Sequence, residues 1–281
     1  MYTTGPARLY AISDLHVRHE ENRVLLDGLR PASPADWIVV AGDVGERTAD
    51  IRWALERLTE RFARVIWAPG NHELWTVPGD TLGARGVARY QELVAVCHEL
   101  GVVTPDDPYP VFQNEDGPVA VAPLFVLYDY SFRPDGARTK RESLARAFES
   151  GIVATDELLL HPDPYPSREA WCEARVAETE RRLEELPPGL PVVLVNHFPL
   201  VREPTRVLRH QEFALWCGTE RTAGWHLRFP VKAVVYGHLH IRRTTVYDGV
   251  PFVEASVGYP REWAGRNRPT GLVQVLPLPI E

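Results

Sequence analysis

Residues 8–16 read RLYAISDLH. The apolar stretch 8–12 runs into Ser13 and then into Asp14-Leu15-His16. A short run of this kind fits a buried strand. It ends in two side chains, Asp14 and His16, of types that bind metals. The same layout recurs four times. Residues 37–41 end in Gly42-Asp43, and residues 64–68 end in Pro69-Gly70-Asn71-His72. Residues 191–195 end in Asn196-His197, and residues 231–236 end in Gly237-His238-Leu239-His240. Ligands of open α/β sheets collect beyond the carboxyl ends of strands. The five endings therefore predict one shared site.

Between these runs lie helical patterns. Thr48 is placed to cap a helix in which Ile51, Leu55, Leu58 and Phe62 share a face. Residues 87–100 form a second, closed by Gly101, and Ser167 caps a third that carries Cys172, Val176, Leu183 and Leu186 on one side. The early β-α-β-α-β order predicts a largely parallel sheet with right-handed crossovers. Toward the C-terminus, residues 243–247, Asp248-Gly249 and residues 250–255 read as a hairpin with a two-residue turn. Residues 270–276 read as one more strand. These predict a second, more antiparallel sheet. The chain reads as a single domain over 1–281. The Pro- and charge-rich stretch 105–166 is expected to be an insertion or lid over the site.

Bulk properties narrow the class. The 281 residues are 44% hydrophobic and 25% charged, which suits a packed core. A net charge of −7 argues against a dedicated nucleic-acid binder. The three cysteines are widely spaced and suggest neither disulfides nor zinc. No apolar run approaches the roughly 18 residues of a membrane span, and the N-terminus lacks the layout of a signal peptide. A soluble cytoplasmic protein is the default expectation, with no membrane partner.

The chemistry explains the residue types. Carboxylates mixed with imidazoles suit Mn, Fe or Zn better than Mg or Ca. Asp14 and His16, like His238 and His240, are two apart, so strand geometry points each pair to one side. Asp43 has two oxygens with which to bridge two ions. Two ions about 3.5–4 Å apart bind phosphate and lower the pKa of bound water. Five of the ten histidines take part.

Asp14-x-His16, Gly42-Asp43, Gly70-Asn71-His72-Glu73, Asn196-His197 and Gly237-His238-x-His240 resemble, in order, the five blocks of the calcineurin-like metallophosphoesterase superfamily. That resemblance implies an α/β fold, a two-sheet αββα sandwich. It implies two metal ions, Mn and/or Fe, with Zn fitting the same ligands. The first would take Asp14, His16, Asp43 and His240, and the second Asp43, Asn71, His197 and His238. His72 would be the catalytic histidine at the leaving-group oxygen. By similarity to phosphoprotein phosphatases of the superfamily, Glu46 would orient His72 and Arg47 would grip phosphate. Pro69 departs from the arginine those phosphatases carry there, which speaks against that activity.

A closer resemblance covers residues 41–53, 65–76, 127–132, 195–200, 213–218 and 256–263. These look like the mycobacterial and actinobacterial phosphopantetheinyl hydrolases. That likeness implies a phosphodiester hydrolase that releases 4'-phosphopantetheine from a holo acyl or peptidyl carrier protein. Alternatives are a metallophosphoesterase for nucleotides or small phosphoesters, a phosphoprotein phosphatase, a nuclease, or a non-catalytic scaffold. A scaffold would have lost ligands or the catalytic histidine, and none is lost here. Carrier proteins are acidic. Arg202, Arg206, Arg209, Arg242, Arg243, Arg261, Arg266 and Arg268 are candidates for a docking face. Trp75, Tyr128, Tyr130, Phe132, Trp216, Tyr259 and Trp263 are candidates for the wall of a pocket.

Overall fold

Side chains alternate across a strand, so a strand buried on both sides has two apolar faces to fill. The computed structural model describes residues 6–80, 84–263 and 271–278 and shows how these faces are covered. Strands β1 (Leu9–Ile12), β2 (Trp37–Ala41) and β3 (Arg64–Ala68) run parallel, in register from Leu9 opposite Trp37 and Trp37 opposite Arg64. Leu9, Ala11, Val39, Ala41, Ile66 and Ala68 face a second sheet. The alternate residues Tyr10, Ile12, Ile38, Val40, Val65 and Trp67 pack with the helices outside.

The crossovers between these strands are α1 (Glu20–Gly28) and α2 (Thr48–Thr59). Ile51, Leu55 and Leu58 are the buried face of α2, as their spacing predicts. Thr48 is not its cap. Arg47 occupies that position, and the Thr48 hydroxyl instead donates to Asp80 at 3.2 Å. After β3 come the single turn α3 (Asn71–Leu74) and α4 (Gly86–Glu99).

The second sheet has the order β4-β5-β6-β7-β9-β8. Its strands are β4 (Val111–Asn114), β5 (Gly117–Pro123), β6 (Val192–Val195), β7 (Val231–Tyr236), β8 (Thr244–Tyr247) and β9 (Val250–Glu254). Strands β5, β6, β7 and β9 are mutually parallel, and only the edges β4 and β8 are antiparallel. This sheet is therefore more parallel than expected. The hairpin β8–β9 turns on Asp248 (φ 51°) and Gly249 (φ 81°), the pair of positive φ values that a two-residue turn requires.

Two further expectations are corrected. The final strand, β10 (Val273–Leu276), does not join the second sheet. It lies antiparallel to β1 and closes the edge of the first. Periodicity shows that a segment is a strand but not which edge it will pair with. Nor is the whole of 105–166 an insertion, because β4 and β5 within it are strands of the sandwich. Beyond β5 the chain forms α5 (Lys140–Glu149) and α6 (Asp156–Leu159), then the Ser167-capped α7 (Arg168–Glu184).

No helix among the described residues is long and apolar enough to cross a membrane. The space between the sheets is close-packed, so truncation there should be costly. Ile66→Ala is expected to lower the unfolding free energy by about 2–5 kcal/mol in urea titrations. Val24→Ala, at a position 53% exposed, should change it by less than about 0.5 kcal/mol.

Candidate metal centre

The ends of the two sheets are tied together. Ser13 donates its N–H to Ala255 O (3.0 Å), and its carbonyl accepts from Val257 N–H (2.9 Å), which joins the loop after β1 to the loop after β9. Asp14 N–H donates to Gly42 O, His16 N–H to Asp43 O, and Gly237 N–H to His197 O, at 2.9–3.0 Å. The strand ends are thus cross-linked through backbone before any side chain is considered.

Among the described residues, seven non-glycines have positive φ. Five of them are Asp14, His16, Asp43, His238 and His240. Such residues cost about 1–3 kcal/mol each unless the surroundings over-determine them. The cross-links supply that determination, and the left-handed turns aim all five side chains into one volume. Gly237 shows how tight the approach is. A Cβ there would lie 2.0 Å from Ser13 Oγ and 2.2 Å from Asp14 Oδ2.

The side chains form three overlapping groups: Asp14, His16 and His240; His16, Asp43 and His72; and Asp43, His197 and His238. Their hydrogen bonds fix which ring nitrogens face inward. His197 Nδ1 lies 2.8 Å from the Ala41 carbonyl and must be the donor there, so in the neutral ring Nε2 presents a lone pair. That lone pair faces Asn71 Oδ1 at 3.1 Å and Asp43 Oδ2 at 3.4 Å. His240 Nδ1 donates to Glu262 Oε2 (2.7 Å), and its Nε2 faces Asp14 Oδ1 at 3.0 Å and His16 Nε2 at 3.3 Å. His238 Nε2 is buried with no hydrogen-bond partner.

Acceptors facing acceptors are repulsive unless a cation lies between them. The electrostatics say the same. Burial alone would lower the pKa of His197, yet Asp43 and Asp14 push it up to about 10. Burial likewise opposes the charge on His240, which Asp14 and Glu262 hold well above the ordinary histidine value. Asp14 stays below the usual carboxylate range despite burial, through His240 and His197. The site draws positive charge, and divalent metal ions fit its mixed carboxylate, imidazole and amide donors.

Residues 7–242 hold all of these side chains except Glu262 and match the calcineurin-like phosphoesterases. The chain belongs to the calcineurin-like phosphoesterase family. It is 57% identical over 271 residues to the [acyl-carrier-protein] phosphodiesterase PptH of Mycobacterium tuberculosis, covering 96% of this chain and 84% of that protein. The crystal structure described as the phosphopantetheinyl hydrolase from the same organism superposes with a TM-score of 0.95 at 56% identity over 98% of both chains. The αββα sandwich is that of the family.

For this calcineurin-like phosphoesterase, the seven expected ligands Asp14, His16, Asp43, Asn71, His197, His238 and His240 are all brought together. His72 joins them from α3, with Nε2 3.7 Å from Asp43 Oδ2. Its other nitrogen lies 3.2 Å from Glu46 Oε1. Burial disfavours the His72 cation, but Asp43 and Glu46 outweigh it and hold the pKa above the ordinary value. The Trp75 ring lies against the same imidazole, centroids 3.7 Å apart. Arg47 follows Glu46 as the exposed residue that precedes α2.

Several residues escaped sequence reasoning. Glu73 accepts the backbone N–H groups of Asp43, Val44 and Gly70 at 2.9–3.0 Å, so one carboxylate ties the β2 and β3 loops. Burial beside Asp43 pushes its pKa up to about 7. Arg89, buried in α4, donates to the carbonyls of Glu73 (3.0 Å) and Glu46 (3.1 Å) and pairs with Asp80 at 2.9 Å. Glu262 and Asp156 come from segments with no periodic signal. Only Glu73 and Glu262 fell within motif or resembling segments.

Gly237→Ala should push Ser13 and Asp14 apart. We expect ~10–100-fold weaker metal retention, of the size seen when supporting contacts to ligands are lost. Elemental analysis after dialysis measures it, with Gly224→Ala, where a Cβ meets nothing within 4 Å, as the unaffected control.

Proposed function

We propose that this phosphoesterase hydrolyses the phosphodiester joining 4'-phosphopantetheine to a carrier-protein serine, releasing 4'-phosphopantetheine and apo carrier protein. One observation carries the reading. Three of the stretches that resemble phosphopantetheinyl hydrolases, 65–76, 213–218 and 256–263, send side chains outside the metal ligands into one pocket. Trp75, Phe213, Trp216, Tyr259 and Glu262 line a cavity of about 310 Å³ whose floor is Asp43, Asn71, His72, His238 and His240. A polar, cation-seeking floor under aromatic walls suits a phosphodiester with an extended organic arm. Tyr128, Tyr130 and Phe132 are not wall residues but fully buried core behind it.

In this reading Asp14, His16, Asp43 and His240 hold one ion, and Asp43, Asn71, His197 and His238 the other, with Mn and Fe suiting the donors and Zn fitting them too. When bound, the ions neutralise phosphoryl oxygens and activate water. The chain supplies the rest. As a water oxygen bonds to phosphorus and the phosphorus–oxygen bond to the carrier breaks, His72, oriented by Glu46, gives its proton to the serine oxygen, so serine leaves as the alcohol and phosphopantetheine as the phosphate monoester. Trp75 keeps the imidazole from turning away. Arg47, exposed next to Glu46, is the candidate to grip a phosphoryl oxygen.

The candidate docking arginines separate by position. Arg202 donates to the Arg133 carbonyl, and Arg242 donates to Leu272 O and lines, with Arg243, a different cavity beside β8 and β10. Arg266 and Arg268 lie outside the described residues. Arg206 and Arg209 are exposed, make no ion pair among the described residues, and lead directly into the turn Gln211–Trp216 that supplies Phe213 and Trp216. Arg261 lies 4.7 Å over the Tyr259 ring. Arg206, Arg209 and Arg261, close in sequence to the wall residues Phe213, Trp216 and Tyr259, are our candidates for meeting an acidic carrier protein.

Incubation with holo carrier protein should yield a product lighter by one phosphopantetheine arm in intact-mass spectrometry. Turnover of nucleotide diesters or phosphopeptides but not of holo carrier protein would overturn the substrate reading. His72→Asn should reduce kcat by about 100- to 10,000-fold with both metals retained. Reversing Arg206 and Arg209 to Glu should raise KM for holo carrier protein and leave a small chromogenic diester unaffected. Equal effects on both substrates would remove the docking assignment. Chelation should abolish activity and lower the thermal midpoint, and re-addition of Mn, Fe or Zn singly should show which ions restore both.

A further inference from the structure

The segment after α5 carries a carboxylate with no part in the reading above. Asp156 begins α6, is 2% exposed and borders the pocket beside Asn71 and Trp75. One of its oxygens, Oδ1, accepts two hydrogen bonds: from Asn71 Nδ2 at 2.9 Å and from Trp75 Nε1 at 2.7 Å.

A side-chain amide has a donor end and an acceptor end, and nothing in its shape says which should face a metal. Here the donor end is taken by Asp156. The acceptor end, Oδ1, is thereby turned toward His197 Nε2 at 3.1 Å, the same nitrogen that lies 3.4 Å from Asp43 Oδ2. With the amide reversed, N–H groups would face the ion and repel it, and Asp156 would face a second acceptor. The same oxygen holds the Trp75 indole, whose ring lies against His72. One buried oxygen thus governs a proposed ligand and the support of the proposed acid.

The segment around Asp156 is itself anchored. Thr76 N–H donates to Leu159 O at 2.9 Å, which zips α6 to the chain just after α3. Arg168 donates through Nη2 to the Asp156 carbonyl at 2.5 Å and through Nε to the Leu160 carbonyl at 2.8 Å. The next residue, Glu157, accepts from Tyr130 OH and from Trp216 Nε1, each at 2.8 Å. Trp216 is a wall of the pocket. Residues 156 and 157 therefore fix a ligand and a wall from one turn of chain.

We propose that Asp156 is a positioning residue for the second metal: its Oδ1 sets the sense of the Asn71 amide and holds Trp75 against His72. The proposal rests on the reading that Asn71 is a ligand, and the experiment separates the two. Mn(II) is titrated into metal-free full-length protein, and bound metal per chain, kcat for a small chromogenic diester and the metal-free thermal midpoint are measured. Asp156→Ala is expected to raise the dissociation constant of one ion by about 10–100-fold and leave the other unchanged. Asp156→Asn keeps an acceptor oxygen for both donors and is expected to restore two ions and most of kcat.

If Asp156→Ala lowers only the metal-free thermal midpoint, with both metal affinities unchanged, the residue is structural and the proposal is overturned. If Asn71→Ala also leaves both affinities unchanged, the ligand reading itself has failed. Should Asp156→Ala not fold, the reciprocal exchange decides. Asn71→Asp alone sets two carboxylates against each other and should lose one ion. Combined with Asp156→Asn, which can donate to the new carboxylate, it should regain it. Failure of the pair to bind better than Asn71→Asp alone would equally overturn the proposal.

Discussion

The structure is organised around a repulsion. Asp14, Asp43, Asn71 and the inward nitrogens of His16, His197, His238 and His240 crowd electron-rich atoms together, within 4.8 Å in each carboxylate–imidazole group and as close as 3.0 Å between His240 and Asp14. Left alone, such a group would spread apart or take up protons, and the raised pKa values of His197 and His240 record that tendency. Cations relieve it. The protein must therefore hold the ligands in place against their own electrostatics before any ion arrives, and much of the local structure serves that end.

Three layers of restraint accomplish this. The backbone cross-links among the ends of β1, β2, β6, β7 and β9 hold five ligand residues in left-handed conformations. Behind them, acceptors orient the rings and amide: buried Ala41 O for His197, buried Asp156 for Asn71, and the exposed Glu262 for His240. Glu73 and Arg89 then brace the loops from which those groups project. Each layer uses hydrogen bonds in a dry environment, where a satisfied polar network is stiff and a half-satisfied one is costly.

Specificity is built differently. The pocket walls come from segments far apart in sequence: Trp75 after α3, residues 153–156 before and within α6, Phe213 and Trp216 in a 3₁₀ turn, and Tyr259 near the C-terminus. The metal ligands sit at strand ends, where backbone geometry is constrained, and the walls sit on loops and short helices, which tolerate change. Reaction type and substrate choice are thus carried by separable parts of the chain.

How much of this was legible depends on the same division. The strand runs, the Asp, Asn and His residues closing five of them, and the apolar faces of α2, α4 and α7 are written in local sequence. Strand and helix periodicity depend on neighbours along the chain, and metal donors are a small chemical set. Sequence by itself therefore determined the strands and the donors that close them, and its resemblance to the calcineurin-like superfamily implied the sandwich class, the set of seven expected ligands and the pairing of His72 with Glu46. Only the tertiary structure decided that β10 closes the first sheet beside β1, that β4 and β5 belong to the second, and that Asp156, Glu262 and Arg89 brace the expected ligands and their loops. Those facts depend on contacts between residues from 16 to more than 260 positions apart, and no local pattern encodes which distant partner a buried carboxylate or an edge strand will meet.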